Sequence, residues 1–230
     1  MVVGNGMVAN SFENYRYNDK KIIFASGVSN SKNLKEEIFE RELKLLNETI
    51  NDNSGKQIVY FSTCSIDDND LKSSPYVLHK IAAENLIKRK AQNFFIFRIS
   101  NIAGISNNPY TLLNYFIFNI LQNHPLVIWK YAYRNIIAID DVRIIVNEIL
   151  QNNLYTNEII NIANPSNYSV PFIVKTIEDH LCKQAVYIEA DRGANYHIDI
   201  SAIKPVIDKC NIQFPVNYLS MVLKKYYHSR

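Results

Sequence analysis

Short runs that are apolar almost throughout alternate with longer amphipathic stretches in the first half of this chain. That alternation limits the possible folds more than any other feature. Residues 1–3, 21–25, 57–62 and 94–98 are rich in β-branched or aromatic side chains, and turn or polar residues follow each run. A strand with one wet face alternates apolar and polar residues, whereas a run without alternation suits a strand covered on both faces, as in a parallel sheet. Between the runs, residues 33–51 carry Leu34, Ile38, Leu43, Leu45, Leu46 and Ile50 among charges. Residues 76–91 carry Tyr76, Lys80, Ala83 and Ile87 at helical spacing. Strand and helix in turn predict an α/β fold with a parallel sheet.

The second half reads less regularly. A helix is expected over 111–123, a strand pair around 126–130 and 135–139, a helix over 140–152 and a strand over 159–163. A further helix over 170–181 has Ser169 as its N-cap. Asp140 and Asp141 read as the N-cap and first turn of their helix, where carboxylates are favourable.

Composition excludes several classes. Lys plus Arg is 25 against 22 for Asp plus Glu, so the net charge of +3 does not suit a nucleic-acid binder, which needs clustered positive charge. No apolar run approaches membrane-spanning length. The start has neither the basic region nor the cleavage site of a secretory signal. Cys64, Cys182 and Cys210 are odd in number and widely spaced, which fits reduced thiols in the cytoplasm. No metal-ligand set is assigned. Asparagine is so common, at 29 residues, that one Asn alone says little about function.

Val2-Val3-Gly4-Asn5-Gly6-Met7-Val8-Ala9 has the form strand, G-x-G-x-x-A, helix. In such a turn the first glycine permits the tight bend, the second lets backbone approach a pyrophosphate, and the small third residue allows close helix–strand packing. The helix start then offers N–H groups to the anion. The alternative is a plain turn. A full dinucleotide site also needs an acidic residue about 20 positions on, at the end of a second strand, to hold the adenosine ribose. The next run instead ends in Ala25-Ser26-Gly27, with only residues 12–20 before it. The adenine half therefore reads as reduced. Arg16, Lys20 and Lys21 are candidates for a 2′-phosphate, or simply an exposed basic cluster.

Tyr76 and Lys80 are four apart and share one helix face, with Ser74 and Pro75 as start signals. Ser62-Thr63 ends the run before that helix. A phenol ionises near pH 10, and a neighbouring ammonium favours its phenolate. Thr63 can hydrogen-bond a substrate oxygen. The trio suits hydride transfer at a carbon bearing oxygen. The alternative is a chance Tyr-x-x-x-Lys. His79 reads as a surface or packing residue.

Together, residues 4–9, Phe24-Ala25-Ser26-Gly27, Phe61-Ser62-Thr63 and Tyr76-x-x-x-Lys80 resemble the extended short-chain dehydrogenase/reductases. More narrowly, they resemble the NAD-dependent epimerase/dehydratase branch acting on nucleotide sugars. Segments 97–104, 134–142 and 161–170 are similar to later segments of that family, so the likeness runs in order along nearly the whole chain. It implies a Rossmann-like parallel sheet with helices on both faces, plus a small C-terminal substrate-binding lobe. Residues 1–104 would form the dinucleotide-binding core with 135–165 contributing, and residues 105–134 and 166–230 the lobe. It implies Tyr76 as acid/base, Lys80 as the residue that lowers its pKa and holds the nicotinamide ribose, and Thr63 as their aid. Gly4, Asn5, Gly6, Met7, Val8, Ala25, Ser26, Gly27 and Ser62 would line NAD or NADP beside Tyr76 and Lys80. Asn101, Arg134 and Arg192 would meet the nucleotide sugar. A homodimer through the Tyr76 helix and the one before it is a further implication. Dehydratases of the family carry Asp-Glu directly after the catalytic Thr. Here Cys64-Ser65 supplies no carboxylate, which points away from dehydration; the reduced adenine half tilts the reading towards a keto-sugar reductase over an epimerase, and the resemblance implies a place in surface-polysaccharide sugar biosynthesis. A degenerate nucleotide-binding or regulatory protein without turnover is the alternative.

Overall fold

The computed structural model describes residues 1–28 and 35–227. The first half runs β1 (Val2–Val3), α1 (Met7–Ser11), β2 (Lys21–Phe24), α2 (Glu36–Asp52), β3 (Gln57–Thr63), α3 (Pro75–Lys90), β4 (Phe94–Ile99) and β5 (Asn101–Ala103). The second half runs α4 (Leu112–Leu121), β6 (Leu126–Trp129), β7 (Tyr133–Ala138), α5 (Ile139–Gln151), β8 (Ile159–Ile162), β9 (Asn167–Ser169), α6 (Val170–Leu181), β10 (Tyr187–Ala190), α7 (Lys204–Lys209) and α8 (Tyr218–Tyr226). Of the helix expected over 33–51, residues 33 and 34 lie outside the described residues.

Five parallel strands form the main sheet in the order β1-β2-β3-β4-β8. Its strands read as apolar runs because both faces are covered. On one face Ile22, Phe24, Ile58, Tyr60 and Ile96 pack against Leu46 and Ile50 of α2 and Ala83 and Ile87 of α3. On the other, Ile23, Val59, Phe61, Phe95 and Phe97 pack against Ala9 of α1, Val142, Ile145 and Ile149 of α5, and Val206 of α7. A third apolar cluster joins α4, α6 and α8 to β6 and β7.

The sheet order decides where a ligand can sit. In a doubly wound sheet, strands lie on both sides of the first one, and the binding crevice opens where their order reverses. Here the order runs one way from β1 to β8, and no described strand lies outside β1. The shortened stretch after α1 is packed rather than loose. Phe12 is fully buried and stacks on Phe61 at 5.3 Å between ring centroids, and Tyr15 is buried beside it. The Met1 ammonium donates to the carbonyls of Asn18 and Lys21 at 2.9 Å each, which closes the turn into β2.

Two expectations need adjustment. The strands expected around 126–130 and 135–139 both form, but they do not pair with each other. The three residues between them make a turn in which Tyr131 N donates to Arg192 O at 3.0 Å and Ala132 N to Trp129 O at 3.2 Å. β6 therefore lies beside β10, and β7 lies between β5 and β9. Asp140 and Asp141 do sit in the first turn of α5, but the N-cap is Ala138. Their carboxylates tie down α8 instead: Asp141 accepts from the Tyr218 hydroxyl, and Asp140 accepts from Tyr226 and Lys225, each at 2.7 Å. Ser169 caps α6 as expected, accepting from Phe172 N at 3.3 Å.

Candidate active site

α3 begins at Pro75, and the Ser74 side chain caps it by accepting from Val77 N at 3.3 Å. That start places Tyr76, Lys80 and Glu84 one turn apart along the face turned towards β3. Thr63 is the last residue of β3, at the carboxyl edge of the sheet. The structure brings all three expected residues together: Thr63 stands close enough to the Tyr76 phenol to lower its pKa, and the Lys80 ammonium lies 5.9 Å from the centre of the Tyr76 ring. Burial raises the Tyr76 pKa, Lys80 pulls it back down, and Glu42 pushes it up again; the net direction is above the ordinary value of 10.0.

Lys80 is buried, and three groups surround its ammonium. They are the Tyr60 hydroxyl at 3.0 Å, a Glu42 carboxylate oxygen at 3.1 Å and the Phe61 carbonyl at 3.5 Å. An ammonium has three N–H donors, so the chain's own groups account for all of them. Burial opposes the charge, but Tyr60, Glu42 and Tyr76 outweigh it and hold the Lys80 pKa above the usual lysine range. Glu42 also accepts from the Tyr60 hydroxyl at 2.8 Å and from Val28 N at 2.6 Å, and His79 Nε2 lies 2.8 Å from its other oxygen. Burial alone would raise the Glu42 pKa, yet Lys80, His79 and the Val28 N–H bring it down to about 2. His79 is therefore a packing residue, not a surface one: it is buried and stacked on Phe39 at 4.7 Å.

One turn further along α3, buried Glu84 receives the Ser62 hydroxyl at 2.6 Å and a two-pronged Arg98 guanidinium at 2.7 and 2.9 Å. Ser62, expected beside the cofactor, has its hydroxyl turned to Glu84 in this structure. Cys64 is fully buried and donates to Arg98 O at 3.1 Å, and burial pushes its thiol far up.

The glycine turn has the geometry its spacing suggests. Gly4 has φ +122°, and a Cβ there would stand 2.5 Å from the Ala25 carbonyl oxygen, so the turn closes onto the end of β2 only with glycine. A Cβ on Gly6 would meet nothing within 4 Å, which leaves an open face above the turn. Asn5 is exposed beside it, Met7 packs on Gly104, and Val8 rests on the sheet. Gly27 is pressed against the lysine site, since a Cβ there would stand 2.7 Å from Lys80 Nζ. Ser26 lines a hollow of about 440 Å³ with Arg41, Glu42 and Lys44. The open face at Gly6 fits a pyrophosphate. Among the described residues, no strand stands outside β1 to hold an adenosine. Arg16, Lys20 and Lys21 lie at the wrong end for a 2′-phosphate, because Lys21 opens β2 and bonds Gln57 at the amino end of β3, opposite the glycine turn.

The three residues expected at the substrate are spread out. Asn101 donates to Asn135 O at 2.8 Å, at the edge of a buried amide network in which Asn135 donates to Asn164 O at 2.7 Å and Asn164 N donates back to the Asn135 side chain at 3.0 Å. Arg134 pairs at 3.2 Å with buried Asp68, on the segment between Thr63 and α3. Tyr196 lies near that pair. Burial raises its pKa to about 12, with Arg134 pulling down and Asp68 pushing up. Tyr196 also lines a second cavity of about 440 Å³ with Asn135, Asn164, Ser166, Asn167 and His197. Arg192 is exposed in the loop after β10, where its backbone is tied to Tyr131 and Ala190.

Sequence reasoning missed Glu42, Glu84, Tyr60, Asp68 and Tyr196. Two left a readable signal. Glu84 continues the Tyr76–Lys80 spacing by four, and Glu42 interrupts the buried α2 stripe of Phe39, Leu46, Thr49 and Ile50.

Similarity searches agree with this architecture. Among solved structures, UDP-glucuronic acid 4-epimerase from Bacillus cereus, in complex with UDP-glucuronic acid and NAD, superposes with a TM-score of 0.70 at 21% identity, covering 90% of this chain and 74% of that one. UDP-glucose 4-epimerase from Thermus thermophilus, in complex with NAD, gives 0.66 at 14% identity, covering 94% and 81%. RMD from Pseudomonas aeruginosa, complexed with NADPH, gives 0.64 at 12% identity, covering 89% and 79%. At these identities the likeness is one of fold. No curated protein sequence matches the chain. The sequence profile of the NAD dependent epimerase/dehydratase family matches residues 22–163, from β2 to the end of β8, which is more than half of the chain. The chain therefore belongs to the NAD dependent epimerase/dehydratase family.

Proposed function

We propose that the protein is an NAD(P)-dependent oxidoreductase acting on a nucleotide sugar, as a keto-sugar reductase or an epimerase in surface-polysaccharide sugar biosynthesis. The observation that carries this reading is the meeting of Thr63, Tyr76 and Lys80 at the carboxyl edge of the sheet, beside the open glycine turn. The nicotinamide would supply or accept the hydride. Tyr76 would give or take the proton of the sugar oxygen, Thr63 would orient that oxygen, and Lys80 would favour the phenolate through its charge. Gly4, Asn5, Gly6, Met7 and Val8 would hold the pyrophosphate, with Ala25, Ser26 and Gly27 at its flank. Arg134, Asn101 and Arg192 remain the residues assigned to the nucleotide sugar. Cys64 and Ser65 bring no carboxylate next to Thr63, which favours reduction or epimerisation over loss of water.

One observation favours the second reading, a nucleotide-binding protein without turnover: the donors of Lys80 are taken by the chain's own groups. A single experiment separates the two. A panel of nucleotide sugars and their 4-keto forms is screened for change in the nicotinamide absorbance, with wild type and Tyr76→Phe. Turnover by wild type that Tyr76→Phe abolishes supports the enzyme, and no turnover on any member supports the binding protein.

The protein is further proposed to work in the cytoplasm, as a homodimer paired through α2 and α3, where Leu45 and Leu78 are exposed. No described helix is long and apolar enough to cross a membrane. Light scattering on wild type and Leu78→Glu tests the pairing, and a monomeric wild type would refute it.

A further inference from the structure

Glu42 stands where an apolar side chain would ordinarily pack. α2 turns Phe39, Leu46, Thr49 and Ile50 to the interior, and Glu42 lies in the same stripe, 2% exposed. A carboxylate in that position is costly unless several donors meet it. Four do: Lys80 at 3.1 Å, Tyr60 at 2.8 Å, His79 at 2.8 Å and Val28 N at 2.6 Å. Two of them belong to the candidate active site. Lys80 is the charge that acts on Tyr76. Val28 ends the segment that carries Ala25, against which Gly4 closes, and Gly27, which rests on the Lys80 ammonium.

We propose that Glu42 is a positioning residue of the active site: its carboxylate fastens Lys80 to the segment 25–28 and sets how much of the lysine's positive charge reaches Tyr76. The inference rests on the reading of Tyr76 as acid/base. With Glu42 ionised 3.1 Å from Lys80, the phenol faces a compensated ion pair rather than a bare ammonium. Among the described residues, the groups that bear on Tyr76 are Lys80 and His79 on its own helix, Glu42 from α2, and Tyr60 and Thr63 from β3. Segment 25–28 contributes no titratable side chain. His79 meets Glu42 through Nε2 and stacks on Phe39. A carboxylate that merely joined α2 to α3 would have no reason to bond Val28 as well, nor to neutralise the cation beside the phenol.

The test needs neither cofactor nor substrate. Protein labelled with 13Cζ-tyrosine is titrated by NMR, and the Tyr76 resonance is assigned by its loss in Tyr76→Phe. Removing a compensating charge from an ion pair beside a titrating group shifts that group by about one pH unit or more. Glu42→Gln is therefore expected to move the Tyr76 midpoint down by about that much. Glu42→Asp keeps the charge but draws it back by one methylene, and is expected to shift the midpoint the same way by less. It serves if Glu42→Gln does not fold. A folded variant of either kind whose Tyr76 midpoint equals that of wild type overturns the proposal. Turnover by Tyr76→Phe, measured separately, overturns the acid/base reading and leaves this coupling to stand or fall alone.

Discussion

The Glu42 carboxylate makes a strong claim about stability in acid. Its pKa is about 2 in the folded chain against an ordinary value of 4.5. A depressed carboxylate contributes stability that is fully present above its unfolded pKa and is lost as pH falls through its folded pKa. At about 1.4 kcal/mol per pH unit, the pair of values corresponds to about 3 kcal/mol at neutral pH. By about pH 3 roughly 2 kcal/mol of that is gone. Removing the charge has its own cost, because Glu42→Gln leaves Lys80 buried without its anion, an effect of about 3–5 kcal/mol. The assay is urea unfolding of wild type and Glu42→Gln at about pH 7 and about pH 3, since midpoint and slope together give the free energy. Wild type should be the more stable at neutral pH, and the gap should narrow by about 2 kcal/mol in acid. Asp67, Asp68 and Asp141 have raised pKa values from burial and drive the pH dependence the other way, but they are common to both proteins and cancel in the difference. A gap that stays constant between the two pH values would refute the view that Glu42 is held ionised by its four donors.

Three further outcomes follow from the geometry. Glu84→Ala strands the Arg98 guanidinium and the Ser62 hydroxyl, and should cost about 3–5 kcal/mol in urea unfolding; a loss below about 1 kcal/mol would mean the bidentate pair contributes little. Gly27→Ala sets a methyl 2.7 Å from Lys80 Nζ and 3.3 Å from Glu42 Oε1, and should destabilise by about 1–3 kcal/mol through overpacking; an unchanged melting temperature would contradict that close contact. Because no described strand lies outside β1, the reduced mononucleotide of nicotinamide should bind within about tenfold of NADH, a difference of about 1.4 kcal/mol; a much larger preference for the dinucleotide would show that the adenosine end is held after all.

The sheet was legible in the sequence because burial on both faces leaves its mark on every residue of a run. Residues 57–62 and 94–98 could be read as strands without knowing their neighbours. The glycine turn and the Thr63–Tyr76–Lys80 set were legible for a different reason: each depends on local spacing along one strand end or one helix. Pairing that depends on distant chain was not readable. β6 finds β10 some sixty residues on, through backbone groups of residues 186–190, and nothing in residues 126–130 names that partner. The amide network of Asn101, Asn135 and Asn164 was hidden by the abundance of asparagine, since no single one stood out. Glu42 was hidden in a helix rich in exposed glutamates. Only its place in the apolar stripe distinguishes it from Glu40 or Glu48. The shortage of chain after Ala9 was visible, but its consequence needed the topology: a sheet whose order never reverses.

The central claim is that a nicotinamide cofactor binds over the Gly6 turn, beside Tyr76. Calorimetry with NADH and NADPH on wild type and Gly6→Trp tests it most directly, because a Cβ on Gly6 meets nothing within 4 Å and the indole would project into the open face above the turn. Binding of at least one cofactor by wild type, lost in a folded Gly6→Trp, is the predicted result. No binding of either cofactor by wild type, or equal binding by both proteins, would contradict it.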